Sequence, residues 1–159
     1  MKNIEEDFKG FLEKNMCGRN QIRNWESIEV DHTKRKGNHK DKKRDFRDYL
    51  RNSKSFNSDG KLQGIYAYYD DEKCLYIGKS KDIFLRLCTH FYASQGYSGH
   101  KKWIKFFKKY QKPLKVYYLR IDDTKNEPIG EALRIIVERI LISFFEELPE
   151  FEKIYPSGK

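Results

Sequence analysis

Residues 62–78 read LQGIYAYYDDEKCLYIG, and this stretch decides the fold. LQGIYAYY is rich in the aromatic residues that strands favour, DDEK has the composition of a turn, and CLYIG matches a second short strand. Strand, turn and strand in succession predict an antiparallel β-hairpin. Gly78 is expected to end it.

Downstream of the hairpin the sequence predicts three helices and one more strand. Asp82 is placed to cap a helix through IFLRLCTHFY, in which apolar residues recur at i, i+3, i+4 and i+7. Residues 101–110 (KKWIKFFKKY) predict a basic aromatic helix, and residues 114–121 (LKVYYLRI) predict a third strand. Residues 131–148 predict a long helix that is apolar almost all round and therefore buried.

The order of these elements from Leu62 is β-β-α-α-β-α. It predicts an α+β fold in which a small, three-stranded antiparallel sheet is flanked by helices. A length of 159 residues suits one compact domain with an extension. We therefore assign residues 62–159 to the domain and residues 1–61 to the extension.

Residues 1–61 are predicted to form a basic, mainly helical N-terminal extension. Helical patterns cover about residues 5–14 and 42–51, with a polar connection between them. Residues 34–54 (KRKGNHKDKKRDFRDYLRNSK) hold ten Lys or Arg residues against three Asp residues. Such a run is either a solvated face or an arm that follows nucleic-acid phosphates beside a catalytic domain.

The charge balance favours a polyanionic partner, although a soluble basic protein would show the same balance. The formal net charge is +9 and the isoelectric point about 9.3, and Lys and Arg bind phosphates by releasing condensed counterions. Three widely spaced cysteines without a CxxC pair argue against a disulfide framework and a structural zinc site. No apolar run is long enough to cross a bilayer, so we expect no membrane association and a cytoplasmic location.

Glu138 is a candidate for chemistry because it lies in the middle of the most hydrophobic helix, where an unpaired charge is costly. Mg²⁺ prefers carboxylate oxygens, and a divalent metal assists phosphodiester cleavage. The structural alternative is an ion pair with Arg134 or a contact with Arg139. Glu131 lies one heptad earlier, near the helix start, where an acid is favoured by the helix dipole in any case.

Four further polar residues lie close to the hairpin in sequence. Tyr66 and Tyr76 lie on its two strands, and either could belong to an ordinary cross-strand aromatic pair. Arg86 and His90 lie one turn apart on the helix that follows. Taken alone, an Arg and a His at this spacing are most often surface residues.

Together these residues resemble the GIY-YIG nuclease family. The first strand carries GIY at residues 64–66, and the second carries YIG at residues 76–78. Arg86 follows the second tyrosine by ten residues, and His90 lies four residues further on. Glu138 is followed by apolar residues at the third and fourth positions, as the glutamate of the family typically is.

The resemblance covers about residues 62–148 and implies a metal-dependent endonuclease that hydrolyses phosphodiester bonds in DNA. Restriction, mobile-element and repair nucleases all occur in the family. Double-stranded DNA is the implied substrate, and Mg²⁺ or Mn²⁺ is the implied cofactor. A monomer and a homodimer both stay open.

The family also implies a role for each residue of the site. Glu138 would hold the metal ion. Tyr66, assisted by His90, would take the proton from the attacking water. Arg86 would stabilise charge on the phosphoryl group, and Tyr76 would contact the scissile phosphate.

Basic residues are the predicted contacts with the DNA backbone. Lys79 follows the hairpin directly and is one such candidate, although a lysine at a turn is usually just solvated. The others lie in the extension and in the basic aromatic helix: Lys34, Arg35, Lys36, Lys42, Lys43, Arg44, Lys101, Lys102 and Lys105.

One family feature is missing from the sequence. Many members carry an Asn about a dozen residues after the glutamate, whereas here no Asn occurs after Asn126. This absence favours a second interpretation, a catalytically silent nucleic-acid-binding module that retains the fold. The presence of Tyr66, Tyr76, Arg86 and Glu138 opposes it.

A third interpretation is an HNH-type metal site formed by Asp31, His32 and His39. The segment lacks the strand-turn context and the cysteine knuckles of such sites. We therefore treat this grouping as an accident of composition.

Overall fold

The computed structural model describes residues 22–33, 38–53, 56, 62–71, 73–97, 101–121 and 127–146. The helix predicted for residues 5–14 lies outside the described residues. The strands and helices of the described part are β1 Ile22–Val30, α1 His39–Arg51, β2 Gly64–Asp70, β3 Lys73–Ser80, α2 Ile83–Ser94, α3 Lys101–Lys109, β4 Leu114–Ile121 and α4 Glu127–Glu146. The predicted α+β class is confirmed.

The four described strands form one antiparallel sheet in the order β1-β4-β2-β3. The prediction of three strands was wrong, because β1 lies in the segment that we interpreted as a polar connection. β1 is an edge strand: Glu26 and Glu29 are exposed, while Ile28 and Val30 pack against the core. A strand that is solvated on one side carries few apolar residues to mark it in the sequence.

β2 and β3 form the predicted hairpin. The chain turns at Asp71, whose φ is +52°. The register shifts just after Tyr68, so that Leu75 is an extra residue on β3. Leu75 and Tyr76 consequently pack against the same core cluster, although neighbouring residues of a regular strand point to opposite faces.

Helices cover both faces of the sheet. On the face that packs against α1, α2 and α3, the buried cluster consists of Val30, Phe46, Leu50, Leu62, Tyr66, Tyr68, Leu75, Ile83, Leu87, Cys88, Phe91, Phe106, Phe107, Leu114, Val116 and Tyr118. On the face that packs against α4, it consists of Ile65, Ala67, Cys74, Ile77, Leu119, Ile121, Val137, Leu141 and Ile142. The alternation along β2 therefore sends both of its buried tyrosines towards α2.

The predicted basic helix is confirmed as α1, which begins earlier than expected. The side chain of Asn38 caps its N-terminus. Phe46 and Leu50 are buried, and the ring of Phe46 stacks on Phe91 with 4.1 Å between centroids. The helix that carries these basic residues is thus anchored in the core that also contains residues of the hairpin.

The helices and strands after the hairpin follow the predictions, with shifted ends. Asp82 caps α2 as expected, because its carboxylate accepts the N–H of Leu85 at 3.0 Å. β3 runs to Ser80, two residues beyond its predicted end. α4 was predicted to be buried all round, but Ile135 and Ile136 are 40% and 51% exposed, since only one side of the helix packs on the sheet.

Among the described residues, no helix is both long and apolar enough to span a membrane.

Candidate active site

A pocket of about 410 Å³ lies along the edge strand β3, where side chains from α2 and α4 meet. It is lined by Tyr76, Lys79, Ser80, Lys81, Arg86, Glu131 and Glu138. Three of the five predicted catalytic residues therefore line one pocket, together with the predicted phosphate contact Lys79. The other two, Tyr66 and His90, are buried close to Tyr76, with ring centroids 5.8 and 6.1 Å from it.

Gly78 is the point at which the two tyrosine hydroxyls of the hairpin converge. A Cβ atom at this position would lie 2.6 Å from Oη of Tyr76 and 2.9 Å from Oη of Tyr66. Both distances are shorter than a real Cβ contact allows, so any side chain here would displace the hydroxyls. The glycine of the second tripeptide is thus needed by the site itself.

Gly64, the glycine of the first tripeptide, is needed by the sheet. Its φ is +154°, and a Cβ atom would lie 1.9 Å from the carbonyl oxygen of Leu119 on β4. Only glycine permits this approach of two backbones. It fixes the start of β2 beside β4, and with it the position of the tyrosine two residues later.

Tyr66 is only 1% exposed. Burial raises the pKa of its phenol well above the usual range, the nearby phenols of Tyr76 and Tyr68 act in the same direction, and the charge of Arg86 opposes them. A hydrogen bond joins the side chains of Tyr66 and Tyr76. The Tyr66 hydroxyl is therefore protonated at neutral pH and needs an acceptor if it is to take up another proton.

His90 contacts the hydroxyls of two tyrosines of β2 through its two ring nitrogens. Its Nε2 lies 3.5 Å from Oη of Tyr66, and its Nδ1 lies 3.1 Å from Oη of Tyr68. Trp103 of α3 stacks on the imidazole with 3.7 Å between ring centroids. His90 is buried, whereas Arg86 one turn earlier is exposed and lines the pocket.

Glu138 lies beside the backbone of β3. Burial raises the pKa of its carboxyl, while the charge of Lys79 and a hydrogen bond from the Lys79 backbone N–H act in the opposite direction. The alternative partner Arg134 is fully buried and donates to Glu131 at 3.0 Å and to Gln63 at 2.7 Å. The carboxylate of Glu138 is thus held at the pocket wall by a backbone group.

Glu131 is a second carboxylate in the pocket, and it forms an ion pair with Lys79 at 2.5 Å. Hydrogen bonds from Lys79 and Arg134 hold the pKa of Glu131 below its usual value. Its spacing of one heptad from Glu138 indicated a shared face, but its ion pair could not be seen in the sequence. Lys79 therefore enters the pocket as half of an ion pair.

The residues present fit a divalent cation that is bound mainly by water and substrate. Among the described residues, no group of three or more His, Cys, Asp or Glu side chains could enclose a metal ion. Mg²⁺ is commonly held by one or two carboxylates, while water and substrate phosphates occupy the other positions. Glu138 supplies one such carboxylate at the wall of an open pocket.

Six of the remaining predicted phosphate contacts lie among the described residues, on helices outside the pocket lining. Lys42, Lys43 and Arg44 lie on α1, and the ammonium of Lys43 lies 4.5 Å from the centroid of the Tyr92 ring. On α3, Lys101, Lys102 and Lys105 are all exposed. Lys34, Arg35 and Lys36 lie outside the described residues.

The three residues of the HNH alternative each contact different neighbours. Asp31 accepts the backbone N–H of Thr33 at 2.8 Å. His39 packs edge-on against Tyr97 with 4.0 Å between centroids, while His32 is buried against Tyr68. The described residues around them do not form a metal-binding group.

Several residues of the site were missed by the sequence reasoning. Tyr68 and Trp103 contact His90, and Ser80 and Lys81 line the pocket. For Tyr68 and Trp103 the signal in the sequence was the high aromatic content of β2 and α3, which equally predicts a core.

Comparison with known proteins identifies the chain. A family model described as the GIY-YIG catalytic domain matches residues 62–153. Neither the curated proteins nor the solved structures provide a match. Because the match spans more than half of the chain, this protein belongs to the GIY-YIG nuclease family.

Proposed function

We propose that the protein is a metal-dependent endonuclease that hydrolyses phosphodiester bonds in double-stranded DNA. The observation that carries this proposal is the pocket along β3, in which Tyr76, Arg86 and Glu138 meet although they come from three different elements. A carboxylate, a cation and a phenol can supply the metal binding, charge stabilisation and proton transfer that hydrolysis of a phosphodiester requires.

Glu138 would hold Mg²⁺ or Mn²⁺ at the pocket wall. When bound, the cation would neutralise charge on the phosphate oxygens. The Lys79 backbone N–H keeps the Glu138 carboxylate oriented, because it hydrogen-bonds the ionised form.

Tyr66 and His90 would remove the proton of the attacking water. Tyr66 is buried, so the hydroxyl of Tyr76, which borders the pocket and is hydrogen-bonded to Tyr66, would connect it to the water. As Tyr66 gains a proton from this side, its own proton moves to Nε2 of His90. Positioned proton transfer of this kind accelerates reactions by about 10²–10⁴-fold.

Arg86 and the basic helices would bind the phosphates. Arg86 is exposed at the pocket, where its guanidinium would stabilise charge that develops on the phosphoryl group. The ammonium of Lys79 would exchange its contact with Glu131 for a DNA phosphate. The lysines of α1 and α3 would contact the backbone on either side, since such contacts position a duplex without reading its sequence.

The proposal is tested by cleavage of supercoiled plasmid with Mg²⁺, with Mn²⁺ and with EDTA. We expect the metal-supplied wild type to cut and EDTA to abolish cutting. Glu138→Gln and Arg86→Ala should each lower the rate at least about 10²-fold while binding of DNA in a gel-shift assay persists.

Two matched variants serve as controls. Glu29→Gln makes the same change on the exposed side of β1, at the far edge of the sheet, and Lys115→Ala removes a cation from an exposed position of β4. Both should cut like the wild type. Tight binding of DNA without cutting in either metal would contradict the proposal and favour a silent binding module.

A further inference from the structure

His32 reaches the candidate active site from outside the stretch that matches the family. It follows β1, is 3% exposed, and its Nε2 lies 3.0 Å from Oη of Tyr68. The same hydroxyl lies 3.1 Å from Nδ1 of His90, whose Nε2 faces Tyr66. Four buried side chains thus form a continuous chain of contacts, in the order His32, Tyr68, His90 and Tyr66.

The hydroxyl of Tyr68 can donate in at most one of its two histidine contacts, so in the other it accepts from an imidazole N–H. A phenol carries a single proton, and two lone pairs at 3.0 Å repel each other. If Tyr68 donates to His32, then His90 must donate its Nδ1 proton to Tyr68. Neutral His90 then has no proton on Nε2, which becomes an acceptor for the Tyr66 hydroxyl.

We propose that His32 is a positioning residue for the catalytic histidine: acting through Tyr68, it holds His90 as the tautomer with its proton on Nδ1. This inference rests on the proposed function, in which Nε2 of His90 takes the proton of Tyr66. When it does so, His90 becomes an imidazolium ion, Tyr68 keeps its proton, and His32 remains neutral. His32 itself touches neither DNA nor the reacting water.

The surroundings of His32 are built to keep its ring in place. The ring packs on Phe107 with 4.5 Å between centroids and on Phe46 with 5.5 Å. The amide of Gln95, at the end of α2, donates to the carbonyl oxygens of His32 and Thr33. Groups from α1, α2 and α3 therefore fix a residue that lies between β1 and α1, as a positioning role requires.

The direct test is the tautomer of His90, measured from the ¹⁵N chemical shifts of the imidazole nitrogens in labelled full-length protein. In the wild type we expect a protonated Nδ1 and an unprotonated Nε2. In His32→Phe, His90 is the one acceptor that the described residues leave to the Tyr68 hydroxyl, so the proton of His90 should move to Nε2. Phe107→Leu, which loosens the packing around the same ring, should leave the wild-type tautomer unchanged.

The second readout is the cleavage rate. His32→Phe should lower kcat about 10²-fold with KM unchanged, because the general base is lost while DNA binding is not. His32→Gln offers an amide oxygen to Tyr68 and should recover part of the rate. In a Tyr68→Phe background, His32→Phe should cause no further loss, because His32 acts only through that hydroxyl.

The outcomes separate this inference from the proposed function. A wild type with the proton on Nε2, an unchanged tautomer in His32→Phe, or additive losses in the double variant would overturn the inference while cleavage by the wild type stands. If the tautomer responds as expected but the wild type cuts no DNA, the positioning of His90 stands and the nuclease proposal fails. If His32→Phe does not fold, His32→Gln and Tyr68→Phe decide the same question.

Discussion

Glu138 is a carboxylate whose surroundings oppose its own ionisation. Burial raises its pKa above the 4.5 of a free glutamate side chain. Ionisation therefore costs folding free energy at every pH above the unfolded-state pKa. The contribution of Glu138 to stability falls as the pH rises through that value towards the folded-state pKa.

We expect Glu138→Gln to be more stable than the wild type at pH 7 in EDTA, because glutamine cannot ionise and can still accept the Lys79 N–H. The advantage should vanish as the pH falls below the unfolded-state pKa. Thermal unfolding of both proteins at a series of pH values measures this difference. If the wild type and Glu138→Gln have the same melting temperature at pH 7 as well as at pH 4, the surroundings of Glu138 do not oppose its ionisation.

A divalent cation should make the wild type more stable than Glu138→Gln. Ligands that bind only the folded state stabilise it by mass action. Excess Mg²⁺ should therefore raise the melting temperature of the wild type and leave that of Glu138→Gln unchanged. An equal rise in both proteins would place the cation elsewhere.

At the residue scale, the sequence could predict which residues meet but not how they are held. Tyr76, Arg86 and Glu138 were predicted from the resemblance to the GIY-YIG family, and they line one pocket. The ion pair of Glu131 with Lys79 and the stacking of Trp103 on His90 were not predicted. Both join residues of different elements, and no pattern within one element records such neighbours.

At the scale of helices and strands, prediction succeeded where the pattern of apolar residues is strong. It failed where a strand is buried on one side only. β4 and the hairpin were predicted because aromatic and aliphatic residues fill them. β1 was missed because its exposed glutamates obscure the alternation. The extra residue Leu75 on β3 was also missed, since a bulge becomes visible only through the partner strand.

α2 carries both Arg86 and His90, so its N-cap supports the site. Asp82→Ala removes the acceptor for the N–H of Leu85 and should lower the free energy of unfolding by about 1 kcal/mol. Urea denaturation measures this loss. As a control, Asp48→Ala changes an exposed residue of α1 whose distance to Arg51 is 4.0 Å, and it should cost less than about 0.5 kcal/mol. An equal effect of both substitutions would contradict the capping role.

At the scale of the whole molecule, the extension and the family domain share a core. β1 pairs with β4, and Phe46 and Leu50 of α1 lie in the cluster that also contains Phe91. The domain boundary before Leu62 was predicted from composition, and composition does not register contacts of this kind. The boundary stays a prediction, and a fragment that begins at Leu62 can test it.

We expect residues 62–159 alone to lose cooperative unfolding. Removing residues 1–61 would expose the apolar surface under α1 and leave β4 as an open edge. Near-ultraviolet circular dichroism and urea denaturation of the fragment, compared with the full chain, measure the effect. A cooperative transition with an unchanged midpoint would show that the family domain folds independently.

The pairing of β1 with β4 also has a consequence for folding during synthesis of the protein. Val30 finds its partner Leu114 more than 80 residues later in the chain. At a synthesis rate of about 5–20 residues per second, β1 waits roughly 4–20 seconds on the ribosome before β4 exists. β1, the first of the described strands to be synthesised, can pair with β4 only after β4 has been made, and its exposed glutamates would keep it from pairing with a neighbouring nascent chain in the meantime.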